Sequence, residues 1–227
     1  ALETKGHWEG EIWDRRKNGD SFVAWHSVSL IRGADGEAVR YVSVFSDITA
    51  RWKKAEQTKH LALHDALTGL PNRHMLLERL HQSIARARRE KRNLAVCFVD
   101  LDGFKAINDQ WGHAAGDDVL KTVGSTLQAM LRASDTVARL GGDEFIVLIE
   151  NPQNREEVAH LAQRVIQAIQ LPPGLQEKGA QLGASIGIAL LNDHANHSAD
   201  ELLQQADAAM YRAKAAGKNR FTFYTPQ

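Results

Sequence analysis

The run Asn93–Asp102, NLAVCFVDLD, constrains the fold of this chain more than any other stretch. Its apolar residues follow one another without the alternation of a strand that has one wet face. The run therefore predicts a central, buried strand. Such a strand needs helices packed on its sheet, and the rest of the chain supplies them. Arg73–Arg89 reads as an amphipathic helix with Leu76, Leu77, Leu80 and Ile84 on one side. Further helices are predicted over Val119–Arg132, over Glu156–Gln170 with Pro172 and Pro173 behind it, and over Asp200–Ala216, stopped by Gly217. Gln181–Leu191, QLGASIGIALL, reads as a strand interrupted by glycine, and Val137–Ile149, VARLGGDEFIVLI, as two strands meeting at Gly141-Gly142. The order predicts an α/β (α+β) sandwich, a sheet with that hairpin at its centre and helices flanking it.

The first 48 residues have a different texture. Two hairpin signals, KNGD (Lys17–Asp20) and ADGE (Ala34–Glu37), separate runs rich in β-branched and aromatic residues, predicting a three-stranded antiparallel sheet. Three strands are marginal alone, so Trp8, Trp13, Trp25 and Phe45 need a cover, such as another chain. His7 and His26 read as structural or surface strand residues. Residues 49–62 follow as a polar connecting helix, either solvated or a short dimeric coiled coil. Lys plus Arg balances Asp plus Glu at 28 each, so no basic field argues for nucleic acid. The lone Cys97 lies in an apolar run and reads as a core thiol. No stretch is long and apolar enough for a membrane span, and no signal peptide is expected. The expected location is the cytoplasm, with a longer natural protein able to be membrane-tethered.

The acids carry the chemistry. Asp100 ends the apolar strand, where a carboxylate is costly unless paired or metal-bound. If the hairpin lies beside that strand, Asp100 and Asp143 converge on one cation. Mg²⁺ suits such a site, since it takes one or two carboxylates plus substrate phosphates. Neighbours in an extended segment point opposite ways, which gives Asp143 and Glu144 different tasks. Gly141 and Gly142 serve the turn and leave bare backbone for a nucleotide to approach. Together these features indicate metal-assisted phosphoryl or nucleotidyl transfer.

Five motifs in order, DALTGLPNR, DLDGFKAINDQWGHAAGDDVL, RLGGDEF, SIGIA and ADAAMYRAKAAGKNR, resemble the GGDEF family of diguanylate cyclases over residues 63–223. The resemblance implies a nucleotidyl-cyclase-like fold over residues 63–227 and condensation of two GTP into cyclic di-GMP with loss of two pyrophosphates. It implies Mg²⁺, with Mn²⁺ as the alternative, held by Asp100, the Leu101 carbonyl and Asp143. Glu144 matches the residue implicated at the 3′-hydroxyl, and which of Asp143 and Glu144 is the base stays open. Asn108 and Asp117 match the pair that reads the guanine edge, and Lys105, Lys214 and Lys218 match triphosphate contacts. At Lys218 relatives often carry Arg, so a bidentate contact becomes a point charge. One domain holds one GTP, so a homodimer belongs to the mechanism. RASD (Arg132–Asp135) matches the family's inhibitory product site, with Arg164 as an added contributor. Arg139 reads as a surface strand residue.

Residues 1–48 resemble the C-terminal strands of a PAS domain, and SDIT leads into a signalling helix. GKNRFTFYTPQ resembles the junction to an EAL phosphodiesterase domain, so PAS and EAL are the expected flanking domains. Two other readings are a non-catalytic GTP- or cyclic di-GMP-binding regulatory module and a dimerisation scaffold. The second leaves the polar motifs unexplained.

Overall fold

A computed structural model describes residues 2–169, 171, 175, 179–191 and 197–226. The chain divides into two units, Ala1–Ala62 and Leu63–Gln227.

In the first unit a short helix, α1 (Leu2–Lys5), precedes β1 (His7–Arg15), β2 (Ser21–Arg32) and β3 (Ala38–Asp47). They form the expected antiparallel sheet, ordered β1-β2-β3. The helix α2 (Thr49–Leu63) follows. Its start is tied to the sheet, because Thr49 Oγ1 accepts from Val23 N–H at 3.0 Å and Asp47 Oδ1 accepts from Thr49 N–H at 2.9 Å. Trp52 meets Trp13 edge-on at 5.2 Å. Trp25 and Phe45 stay exposed. His7 bonds Ser29 and His26 stacks on Phe45, as structural strand residues do.

The second unit is built around β4 (Leu94–Asp102), whose first eight residues are all buried. Its sheet runs β5-β6-β4-β7-β8, with β5 (Thr136–Gly141), β6 (Glu144–Glu150), β7 (Gly183–Leu191) and β8 (Arg220–Phe223). The hairpin β5-β6 therefore occupies one side of the sheet, and β4 is the middle strand. An apolar strand buried on both faces fills the middle; the hairpin, bounded by a polar turn, takes the edge. β8 pairs parallel to β7, although its sequence reads as a domain junction.

Side-chain alternation splits the core in two. Ala95, Cys97, Val99 and Leu101 join the side covered by α4 (Phe104–Trp111), α5 (His113–Met130) and α6 (Arg155–Ala168). Leu94, Val96 and Phe98 join the side covered by α3 (Arg73–Glu90) and α7 (Ala199–Ala215). Each fully buried Leu or Ile here is worth about 1.5–3 kcal/mol of transfer. Asn72 caps α3 by accepting from His74 and Met75 N–H, and Ser198 with Glu201 makes a capping box on α7. α7 sits directly on β7: a Cβ on Gly187 would lie 1.9 Å from the Ala206 carbonyl oxygen. α5 begins at His113, six residues before the expected start, because Gly112 breaks the backbone at φ +82° and Gly116 continues as helix. Gln170, the expected last residue of the helix from Glu156, and Pro172 and Pro173 behind it lie outside the described residues. No helix among the described residues is long and apolar enough to cross a membrane.

Candidate active site

Alternation along β4 decides where Asp100 points. Asp100 shares the parity of Val96 and Phe98 and faces α3 and α7. Glu144, at the start of β6, is in register with Asp100, so the two carboxylates stand side by side on one face. Beyond Asp100, β4 pairs only with β7, and Leu101 falls in that stretch. Asp143 lies in the turn, half-buried. Burial first and the Asp100 charge second raise the Asp143 pKa from its ordinary value. Glu144 is raised by burial, then by Asp100, Asp143 and Asp207. Among the described residues, the cation in bonding range is Lys214, whose Nζ is 2.7 Å from Asp100 Oδ2. Among the described residues no three His, Cys, Asp or Glu side chains gather as a metal cluster. Two carboxylates and a backbone carbonyl are all hard oxygen donors. That set fits Mg²⁺, which completes its shell with phosphate and water.

The turn itself needs glycine for its backbone angles rather than for space. Gly141 and Gly142 have φ of +145° and +53°, and a Cβ on either would meet nothing within 4 Å. The bare backbone faces open space, as a nucleotide-approach surface requires. On the other side of the sheet, α4 and α5 carry Asn108 and Asp117. A Cβ on Gly116 would come within 2.0 Å of Asn108 Oδ1, so Gly116 is what lets the Asn108 amide lie against α5. Lys105 is exposed in the first turn of α4, and Lys218 is exposed beyond the end of α7.

Residues 62–220 match the family described as diguanylate cyclase, GGDEF domain. The chain belongs to the GGDEF family. The region is 48% identical over 164 residues to the bifunctional diguanylate cyclase/cyclic di-GMP phosphodiesterase MucR of Pseudomonas aeruginosa, covering 72% of this chain and 24% of MucR. It is 39% identical over 212 residues to the probable diguanylate cyclase DgcE of Escherichia coli, covering 93% of this chain and 19% of DgcE. That match is longer than the second unit and so extends into the first. The chain thus spans a quarter or less of these two relatives. Among solved structures, the GGDEF domain of Pseudomonas aeruginosa TpbB superposes with a TM-score of 0.66 at 40% identity, covering 71% of this chain and 94% of that one.

Within this GGDEF domain, one residue the sequence left without a role is Arg139. It is not a surface residue: its side chain is only 10% exposed. Nη1 donates to both carboxylate oxygens of Asp65, at 2.8 and 3.0 Å. Nε and Nη2 donate to the Gly142 carbonyl at 3.1 and 2.7 Å. Burial works to raise the Asp65 pKa, but hydrogen bonds from Thr68 and Arg139 outweigh it and leave it lowered. One guanidinium thus fastens the signature turn to the DALTGLPNR loop. The available signal was the pairing of an arginine before Gly-Gly with an aspartate opening that loop.

Arg132, Asp135 and Arg164 come together on one cavity of about 450 Å³, with Glu157 and His160 in its wall. The Arg132 guanidinium donates to Glu157 Oε1 at 2.8 Å. Asp135 accepts from the N–H groups of Arg132 and Glu150. Cys97 is buried, and burial pushes its thiol up to about 12.

Proposed function

We propose that this GGDEF domain is an active diguanylate cyclase, making cyclic di-GMP and pyrophosphate from two GTP. The observation that carries the reading is the side-by-side register of Asp100 and Glu144 beneath a glycine turn that also holds Asp143. Asn108 and Asp117 read the guanine, since an amide and a carboxylate suit the donors at guanine N1 and N2. Lys105, Lys214 and Lys218 contact the triphosphate. Asp100, Asp143 and the Leu101 carbonyl would hold Mg²⁺, which lowers the hydroxyl's proton affinity and balances leaving-group charge when bound. Glu144, its proton affinity raised by burial and its acidic neighbours, stands where a 3′-hydroxyl proton can be accepted, with Asp143 as the alternative base. Lys214 exchanges its partner from Asp100 to phosphate as nucleotide enters.

The 3′-hydroxyl of each nucleotide attacks the α-phosphate of the other, so two domains must face each other and the working form is a homodimer. Product binds back at Arg132, Asp135 and Arg164: the guanidiniums suit phosphate and the guanine face, and Asp135 the guanine edge. Arg132 must leave Glu157 to do so. The three-stranded sheet of the first unit supports a PAS-type input to this activity.

A second reading has one observation in its favour: MucR, the 48% identical relative, is named for both cyclase and phosphodiesterase activity. In a protein of that kind a GGDEF domain can serve its neighbour by binding nucleotide. Glu144→Ala and Asp117→Ala separate the steps. On the cyclase reading Glu144→Ala binds GTP and makes no cyclic di-GMP, while Asp117→Ala loses GTP affinity. Turnover of Glu144→Ala at the wild-type rate would remove Glu144 from the mechanism.

A further inference from the structure

The turn after α7 holds a backbone conformation that its own residues do not favour. Gly217, Lys218 and Asn219 all have positive φ, +114°, +60° and +47°. Only glycine adopts that region freely. Asn219 is held from outside the turn: its N–H donates to Asp102 Oδ2 at 2.9 Å. The same oxygen accepts from Ser185 Oγ at 2.8 Å. Ser185 is 0% exposed, a polar side chain at a core position of β7, and it opens the SIGIA motif, which the catalytic reading leaves without a task. The Asn219 side chain lies close on Gly183, where a Cβ would come 3.0 Å from its Oδ1.

We propose that Asp102, seated on Ser185, is a positioning residue for the Lys218 turn and so for the triphosphate end of the substrate. The inference rests on the reading of Lys214 and Lys218 as triphosphate contacts. Lys214 lies in the last turn of α7 and is anchored on Asp100. The helix then closes, with Gly217 N–H donating to the Lys214 carbonyl and Lys218 N–H to that of Ala213. From there the chain must reverse, so that Arg220 pairs with Ser185 in the β7-β8 ladder. The left-handed residues make that reversal, and Asp102 fixes its far side. An ammonium on a flexible stem has no directional geometry of its own. Its reach toward phosphate is therefore set by where its backbone is fixed, which is the task of Asp102. The acid also draws the end of β4, the start of β7 and the residue before β8 together through one carboxylate oxygen. Its other oxygen, Oδ1, is buried and has no hydrogen-bond partner among the described residues, so the carboxylate serves this anchor rather than solvent.

The test compares GTP with GMP, which shares the base and α-phosphate but lacks the triphosphate end. Binding of each is measured by titration calorimetry on the full chain with Mg²⁺, for wild type, Asp102→Ala, Asp102→Asn, Ser185→Ala and Lys218→Ala. Asp102→Ala weakens GTP roughly tenfold, the scale of a lost charge-assisted hydrogen bond. It leaves GMP within about twofold. The Asn219 amide loses protection from hydrogen exchange at the same time. Asp102→Asn, which keeps an acceptor oxygen, restores most of the GTP affinity, and Ser185→Ala loses part of it. If Asp102→Ala does not fold, Ser185→Ala carries the test with the same preference for losing GTP over GMP. Equal losses for GTP and GMP overturn the proposal. Lys218→Ala weakening GTP while Asp102→Ala and Ser185→Ala do not overturns it alone. Unchanged GTP affinity in Lys218→Ala overturns the phosphate reading beneath it as well.

Discussion

Replacing Arg139 with Met keeps much of the side chain's volume and removes the guanidinium that ties the signature turn to Asp65. Breaking a buried ion pair by deleting one partner costs about 3–5 kcal/mol. Asp65 is 22% exposed and keeps its hydrogen bonds from Thr68 N–H and Oγ1. The expected loss therefore sits below that range, about 2–3 kcal/mol. In a unit of this size ~1 kcal/mol moves Tm by about 2–4 °C, so Tm falls by roughly 5–10 °C. The pH dependence follows from the lowered Asp65 pKa. Its contribution is present above the ordinary aspartate value of about 3.9 and is lost as pH falls through the lowered folded value. The gap between wild type and Arg139→Met therefore closes in acid. The turn also loses both donors to the Gly142 carbonyl, and a displacement of ~1 Å at reacting groups costs on the order of a hundredfold in rate. Thermal unfolding and initial rates of cyclic di-GMP formation are measured for Arg139→Met, Asp65→Asn and the double variant. The pair should couple by at least about 1 kcal/mol. Additive stabilities, or lost stability with wild-type turnover, would refute the idea that this clamp holds the turn.

Glu144→Gln should raise Tm in nucleotide-free, metal-free protein at pH 7.5. A carboxylate with a raised folded pKa destabilises the fold progressively as pH rises from the ordinary glutamate value of about 4.3 through the raised folded value, and the penalty disappears below both, where both states are protonated. An unchanged Tm at pH 7.5 would contradict the crowding of acids. Gly116→Ala places a methyl on Asn108, so GTP affinity falls at least about tenfold and discrimination against ATP weakens; wild-type GTP binding would show that Asn108 does not read the base. Arg132→Ala removes an exposed ion pair worth under about 1 kcal/mol and should relieve inhibition by added cyclic di-GMP with turnover retained. Product inhibition as strong as in wild type would place the inhibitory site elsewhere.

The elements that were legible are those whose burial is written into consecutive residues. Leu94–Val99 announces a strand buried on both faces, and Leu76, Leu80 and Ile84 announce one side of α3. Strand order is not written that way. Val137–Ile149 shows that two strands meet at a turn, but the hairpin's place beside β4 follows from non-local pairing. β8 is four residues long and pairs parallel to β7 only after α7 has carried the chain back across the sheet. The early start of α5 was hidden because Gly112 and Gly116 resemble a loop, and only the close approach of Asn108 gives Gly116 its reason. In the site, Asp100 and the acids of the turn were visible as residue types in sequence. Their register, Asp100 opposite Glu144, was not, since it depends on the pairing of two strands. Arg139 was missed because its partner Asp65 is 74 residues away, and periodicity along β5 says nothing about such a contact. Asp102 escaped for the same reason, its partners lying 83 and 117 residues on.

On the proposed mechanism, two of these domains facing each other join two GTP. The most direct measurement is cyclic di-GMP formed from GTP and Mg²⁺ across a wide range of protein concentration, with GTP binding followed in parallel. The expected outcome is product whose rate per protomer rises with concentration as facing pairs assemble, and none from Glu144→Ala at any concentration. GTP bound without product, even at the highest concentration, would contradict it and leave a nucleotide-binding regulatory domain in its place.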